Sequence, residues 1–225
     1  MKQLLISMIV LSLSYTFLCC ENEAIVTSDK VMDGDGISYN TVKIGDQLWM
    51  SENLKTTKYN DGTPIPLVTD NTAWSNLKTP GYCWYNNDDG TFKNTYGALY
   101  NWYAVDTDKL CPAGWHIPTN DEWRTMINFI GDSSIAGNKM KEVGTIHWTS
   151  PNTDATNESG FTALPGGARY YNGYFADIGN FGYWWTTTEI DSTSALIRLL
   201  YCSSPGIYTD RYDKWDGYSV RCLKN

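Results

Sequence analysis

Histidine is scarce in this chain, with two in 225 residues, so a metal centre built on a histidine cluster has too few ligands. Positive charge is short as well: 17 Lys and Arg stand against 25 Asp and Glu, a formal net charge of −8. No basic stripe is available to displace counterions from a phosphate backbone, and nucleic acid is excluded as a partner. Charged residues make up 19% of the chain, below the usual ~25%. No two cysteines have C-x-x-C spacing, which removes thioredoxin-type and zinc-knuckle sites. G-x-S-x-G, P-loop and H-E-x-x-H patterns are missing too. The apolar run from Leu4 to Leu18 is short and serine-interrupted against the roughly 20 residues of a membrane span.

What is present is aromatic: 10 Trp, 16 Tyr and 6 Phe within a 42% hydrophobic composition. A disordered chain is thereby excluded, and one good-sized core is expected. Abundant Tyr, Asn, Thr and Gly with little charge resemble an exported surface.

The N-terminus supports export. Met1-Lys2-Gln3 is a short positive start, the apolar run is an h-region, and Cys19-Cys20 closes it. That close resembles the lipobox of bacterial lipoproteins, with Cys20 as the lipidated residue. Cleavage before Cys20 leaves small Cys19 at the preceding position, whereas cleavage before Cys19 leaves bulky Leu18 there. The organisation expected is a signal peptide over 1–19, an anchor linker over 20–33 and one domain over 34–225. An ordinary signal peptide cut nearby is the alternative. Glu21 and Glu23 behind the anchor resemble a surface-export signal, or form a plain solvated linker.

With Cys19 and Cys20 set aside, Cys83, Cys111, Cys202 and Cys222 remain. An even number in an exported chain permits two disulfides, and three connectivities are open.

Local patterns outline the elements. Asp33-Gly34-Asp35-Gly36 reads as a turn; it could begin a calcium loop, but the ligand ladder and closing Glu of an EF-hand are missing. Ile37 to Ile44 and Gln47 to Met50 read as a hairpin around Gly45-Asp46, and Lys55 to Asn71 as a loop. Tyr96, Leu99, Tyr100 and Tyr103 predict a helix over 95–105. Thr119-Asn120-Asp121-Glu122 is a capping box opening a second helix, with Trp123, Met126, Ile127 and Ile130 as its apolar stripe and Gly131 as its end. Ala195 to Tyr201, Ile207 to Tyr212 and Tyr218 to Leu223 read as a three-strand antiparallel meander. Helices followed by a strand-rich half predict an α+β fold, two helices packed on antiparallel sheets with long loops.

Longer motifs then identify a resemblance. Thr41-Val42-Lys43-Ile44-Gly45, Trp49-Met50-Ser51-Glu52-Asn53-Leu54-Lys55, Tyr82-Cys83-Trp84-Tyr85 and Tyr100-Asn101-Trp102-Tyr103-Ala104-Val105 resemble the Fibrobacter succinogenes major paralogous domain. So do Cys111-Pro112-Ala113-Gly114-Trp115-His116-Ile117-Pro118-Thr119, Gly160-Phe161-Thr162-Ala163-Leu164-Pro165-Gly166-Gly167, Tyr183-Trp184-Trp185-Thr186-Thr187-Thr188-Glu189 and Ser219-Val220-Arg221-Cys222-Leu223. The likeness runs over about residues 31 to 225 and implies an exported, often lipid-anchored protein with no established biochemical activity. More distantly, Ile117-Pro118-Thr119-Asn120-Asp121-Glu122-Trp123 and Tyr218-Ser219-Val220-Arg221-Cys222 are similar to motifs of the formylglycine-generating-enzyme and C-type-lectin-like fold, which implies the fold and not the chemistry. In such folds the terminal strand lies near the first motif. The resemblance therefore implies a Cys111–Cys222 disulfide, with Cys83–Cys202 the remainder.

No catalytic constellation is recognisable. Formylglycine-generating enzymes need a close cysteine pair, and Cys202 and Cys222 stand 20 positions apart. His116 and His147, each beside a Trp, read as structural, and Asp88-Asp89 as solvated loop acids. No metal or cofactor is expected, and the Glu-Pro-Asn and Trp-Asn-Asp patterns of calcium-dependent lectins are missing.

The candidate surface is the stretch from Ala168 to Asp177, where Arg169, Tyr171, Tyr174 and Asp177 combine large amphipathic rings with polar groups suited to sugar faces or protein epitopes. Arg198, Tyr208 and Arg211 are expected to frame it from the meander. The function expected is a non-catalytic glycan- or protein-binding module, lipid-anchored at the outer membrane or cell surface. A display protein without a discrete ligand, or an oxidase relative, are the alternatives. Asp191-Ser192-Thr193 resembles a bacterial O-glycosylation acceptor pattern.

Overall fold

The computed structural model describes residues 30–225; the signal peptide, Cys20 and most of the linker lie outside the described residues. The fold is α+β, with antiparallel sheets and short helices joined by long loops. In chain order the elements are β1 (Lys30–Met32), β2 (Ser38–Ile44), β3 (Gln47–Met50), α1 (Asn71–Ser75), β4 (Tyr82–Cys83), α2 (Asp89–Tyr96), β5 (Leu99–Tyr100), α3 (Trp102–Val105), β6 (Trp115–His116), α4 (Asn120–Ile130) and α5 (Ala136–Met140). The second half adds β7 (Ala168–Arg169), β8 (Phe175–Ala176), β9 (Phe181–Glu189), β10 (Ser194–Tyr201), β11 (Ile207–Asp213) and β12 (Leu223–Lys224).

A five-stranded sheet runs β1-β2-β3-β12-β6. Its β2–β3 pair is the expected hairpin, with Val42 opposite Trp49, and Gly45 takes a positive φ of 61° at the turn. The turn at Asp33 forms as read. Asp33 Oδ1 accepts from the amides of Asp35 and Ile37, and Oδ2 from the Tyr39 hydroxyl at 2.6 Å. Lys30–Met32, assigned to the linker from sequence, instead pair antiparallel with β2; the alternation of β2 continues far enough to hold a partner strand.

Helix α4 starts where its capping box predicts. Glu122 N–H donates to Thr119 Oγ1 at 3.2 Å and Thr119 N–H donates to Glu122 Oε2 at 2.8 Å. Gly131 closes the helix, and Trp123, Met126 and Ile127 are buried against Trp49, Phe161 and Trp184.

The helix expected over 95–105 is not one helix. Gly97 caps α2 with φ +77°, a conformation that ends an α-helix. Leu99–Tyr100 then pair with Tyr82–Cys83 as strands, and Asn101 caps the short α3 by accepting from Ala104 N–H. The helical spacing of Tyr96, Leu99, Tyr100 and Tyr103 arises from abundant aromatics and not from an amphipathic face.

The meander also differs from expectation. It is β9-β10-β11, with Trp185 opposite Ile197 and Tyr208 opposite Leu199. Tyr218 to Leu223, expected as its third strand, runs instead between the sheets. Tyr218 and Tyr100 exchange backbone hydrogen bonds at 3.1 and 2.9 Å, and the amides of Trp185, Leu54 and Met50 donate to the carbonyls of Ser219, Val220 and Cys222. Leu223 in β12 then sits between Trp49 and His116. This buried tail needs partners on several sides, because a buried backbone polar group left unpaired is costly.

Cys111 and Cys222 form the disulfide that the resemblance implies, closing a sequence separation of 111. The remaining pair does not form: Cys83 and Cys202 are free thiols. Cys83 is buried with Trp74, Tyr85 and Leu99, whereas Cys202 packs against the Trp49–Trp123 cluster.

Several cations are buried in this loop-rich half. Arg221 donates to Asn53 Oδ1 at 2.9 Å and to the carbonyls of Phe161 and Thr162, and its guanidinium lies 4.1 Å from the Phe161 ring centre. Lys141 donates to the carbonyls of Thr153, Tyr201 and Ser204. Burial pushes Arg221 down to about 9 and Lys141 down to about 8. Taking a charge out of water costs several kcal/mol, and convergent loop carbonyls and aromatic faces offset that cost here.

Candidate functional site: an aromatic hairpin

Strands β7 and β8 form a small hairpin whose tip is Tyr170 to Tyr174. Tyr170 N–H donates to Tyr174 O at 2.9 Å and Gly173 N–H to Tyr170 O at 2.8 Å. Gly173 is needed at the tip. Its φ is +84°, and a Cβ there would stand 2.7 Å from the Asn71 Cα, so the hairpin lies directly on the start of α1.

Arg169 holds this apposition. It is fully buried, at 0% exposure. Its Nε donates to Gly173 O at 3.0 Å, Nη1 donates to Val68 O, and Nη2 donates to Thr69 O and Asn71 Oδ1 at 3.0 and 2.9 Å. Trp74 and Phe175 lie 4.5 and 4.8 Å from the guanidinium. The planar fork thus ties hairpin to loop, and none of its faces is left for a ligand.

A second tie comes from the tail. Tyr171 N–H donates to Asp216 Oδ1 at 2.6 Å, and the Tyr218 hydroxyl donates to Asp216 Oδ2 at 3.1 Å. Burial pushes the Asp216 carboxyl up to about 7. Asp177, at φ +70°, accepts from the hydroxyls of Tyr170 and Tyr183 at 2.5 and 3.0 Å. Burial above all moves both phenols well above the ordinary tyrosine range; for Tyr170 the hydrogen bond to Asp177 adds to the rise and the one with Tyr183 opposes it, whereas for Tyr183 the bond with Tyr170 adds to it.

With the backbone held at these points, the Tyr171 and Tyr174 rings project outward, 53% and 66% exposed. Two rings on a rigid tip give a large contact area at low conformational cost, each with a polar end.

The residues expected to frame this surface divide between the two faces of the β9-β10-β11 sheet. Side chains of directly paired strand residues share a face. Tyr208 pairs with Leu199, whereas Arg198 pairs with Thr209 and Arg211 with Leu196. Tyr208 therefore points to the side opposite both arginines. Its ring packs on Tyr201 at 4.9 Å, Tyr201 packs on Phe181 at 4.8 Å, and Phe181 stacks on Tyr183 at 5.7 Å, so an aromatic row leads from Tyr208 to the Asp177 cluster. Arg198 is buried on the other face, where it donates to the Asn120 carbonyl and Oδ1 at the start of α4. Arg211 is exposed and lies 3.8 Å from Asp191.

Sequence reasoning missed Asp216, Asn71 and Trp74. Nothing near Asp216 in the sequence marks its burial, because the hairpin that buries it lies about 45 positions upstream. His116 and His147 each contact a carboxylate, at 2.9 Å to Glu122 and 2.7 Å to Glu142. A shallow depression of about 270 Å³ lies elsewhere, between the β2–β3 turn and α4, lined by Ile44, Gly45, Asp46, Gln47, Thr125 and Phe129. Among the described residues there is no group of three or more His, Cys, Asp or Glu placed to hold a metal ion, and no helix long and apolar enough to cross a membrane.

The chain has no significant match among curated proteins or among solved structures. Its sequence does match a family profile over residues 42–224, from the middle of β2 to the end of β12. The segments that build the hairpin, its clamp and the buried tail all lie within that span, and the chain belongs to the Fibrobacter succinogenes major domain family.

Proposed function

We propose that this chain is an exported, lipid-anchored envelope protein whose domain, of C-type-lectin-like type, serves as a non-catalytic ligand-binding module. The observation that carries the reading is the hairpin. Tyr171 and Tyr174 are solvent-exposed while their backbone is fixed by buried Arg169 and Asp216. Large apolar rings held out into water by buried polar anchors suit recognition of a sugar face or a protein epitope. The apolar run followed by Cys19-Cys20 supports anchoring through Cys20 and, with it, residence at the outer membrane or cell surface.

Screening the purified domain against a glycan array and against extracellular protein extracts tests the binding reading. A ligand recovered by the wild type and lost by Tyr171→Ala/Tyr174→Ala, with circular dichroism unchanged, supports it. Recovery that ignores both rings removes the hairpin from the account. The anchor has a separate test in metabolic labelling with a lipid analogue: label is expected on the wild-type chain and lost in Cys20→Ala.

A further inference from the structure

The turn joining β9 to β10 is Ile190 to Thr193, and Asp191, Ser192 and Thr193 are all exposed. Asp191 Oδ1 accepts from Thr193 N–H at 2.8 Å, Thr193 Oγ1 at 2.8 Å and Ser194 N–H at 2.9 Å. The turn is closed below by the amides of Ile190 and Asp191, which donate to Ser194 O, and by Lys214 N–H, which donates to Thr193 O. Within the acceptor-like triplet the two hydroxyls are therefore unequal. Thr193 Oγ1 is engaged by the carboxylate, while Ser192 Oγ stands at the apex with no hydrogen bond to another described residue. The fold holds this hydroxyl at the tip of a rigid hairpin, where an enzyme can reach it without unfolding the sheet.

We propose that Ser192 is a modification site, the acceptor of an O-linked glycan. The activated donor is a glycosyl group on a lipid- or nucleotide-linked diphosphate. Ser192 Oγ attacks the anomeric carbon, a C–O glycosidic bond forms, and the bond from that carbon to the phosphate oxygen breaks with its electron pair leaving on the diphosphate. The serine proton passes to a base of the transferase, and nothing is oxidised or reduced. Charge favours a sugar over a phosphoryl group here. A phosphate would add up to about two negative charges beside Asp191, whose backbone and side-chain hydrogen bonds from Thr193 hold its carboxyl well below the ordinary range, on a chain already at −8. A glycosyl group adds no charge.

The test is intact-mass spectrometry of the full chain isolated from the organism that encodes it, beside Ser192→Ala and Thr193→Ala variants expressed there. The wild type and Thr193→Ala are expected to carry hexose- or hexosamine-sized increments, and Ser192→Ala is expected to lose them completely. Circular dichroism of Ser192→Ala should match the wild type, since the exposed side chain makes no hydrogen bond to another described residue. An unmodified wild-type chain, an increment that persists in Ser192→Ala, or a phosphate-sized increment would overturn the assignment.

Discussion

The backbone N–H of Tyr171 donates to the buried carboxylate of Asp216 at 2.6 Å, so the tip of the aromatic hairpin rests on the chain's terminal segment. Because Tyr218 also donates to that carboxylate, one acid joins the candidate binding surface to the core.

Asp216 makes stability depend on pH. Burial raises its folded-state pKa from 3.8 to about 7, so the folded chain binds the proton more tightly than the unfolded chain. The stability it contributes is complete below about pH 4 and is lost as pH rises through about 7, a change of up to ~4 kcal/mol. Asp216→Asn keeps an acceptor for Tyr171 and removes the titration. Thermal unfolding between pH 5 and 8 should show the wild type losing stability relative to Asp216→Asn; parallel curves would contradict this. Carboxylates such as Asp35 and Asp132 are shifted downward, so their contribution is lost on acidification, outside that window.

Arg169 is expected to be essential to the hairpin's position. Arg169→Ala leaves the Gly173 and Val68 carbonyls and Asn71 Oδ1 without their donor, while Thr69 O keeps the Asn87 side-chain amide, and opens the space between Trp74 and Phe175, at a cost of about 3–5 kcal/mol. Arg169→Lys keeps the charge but not the fork and should fall between. Hydrogen exchange should accelerate in residues 68–71 and 170–174 together. Faster exchange in the hairpin alone would contradict the clamp.

Removal of the Cys111–Cys222 bond should cost about 2–5 kcal/mol in denaturant unfolding, since it closes a long loop of 111 residues. The tail it anchors is hydrogen-bonded to Leu54, Tyr100 and Trp185, so the paired Cys111→Ala/Cys222→Ala variant is expected to fold while losing protection there. Peptide mapping without reductant should find Cys83 and Cys202 alkylated; a Cys83–Cys202 peptide would contradict the structure.

At the start of α4, Thr119→Ala should cost about 0.5–2 kcal/mol, and Thr119→Ser much less, because the hydroxyl accepts from Glu122 N–H. Urea titration of the three proteins decides it.

Features encoded within a few residues were legible in the sequence. The Thr119–Glu122 box, the Gly45-Asp46 turn and the Asp33 turn each carry their partners within six positions. The failures involve distant partners. Tyr218 to Leu223 looks like one more meander strand until Tyr100, Leu54 and Met50 are seen to bind it. Arg169 looks like a loop cation, and only the approach of Val68 to Asn71, about 100 positions away, buries it. The parity separating Tyr208 from Arg198 and Arg211 follows from strand register, which a lone sequence does not fix. Of the candidate site, the exposure of Tyr171 and Tyr174 was legible; Arg169 reads as part of the surface and is instead a buried anchor, and nothing in the sequence singles out Asp216.

The most direct test of the account is an equilibrium titration of the recovered ligand against the wild type, Tyr171→Ala/Tyr174→Ala and Tyr208→Ala, the last an exposed ring on the β9-β10-β11 sheet. Loss of two interfacial rings should weaken binding at least tenfold, with Tyr208→Ala within about twofold of the wild type. Equal affinity for the wild type and the hairpin variant, or a loss confined to Tyr208→Ala, would contradict the assignment of the hairpin as the binding surface.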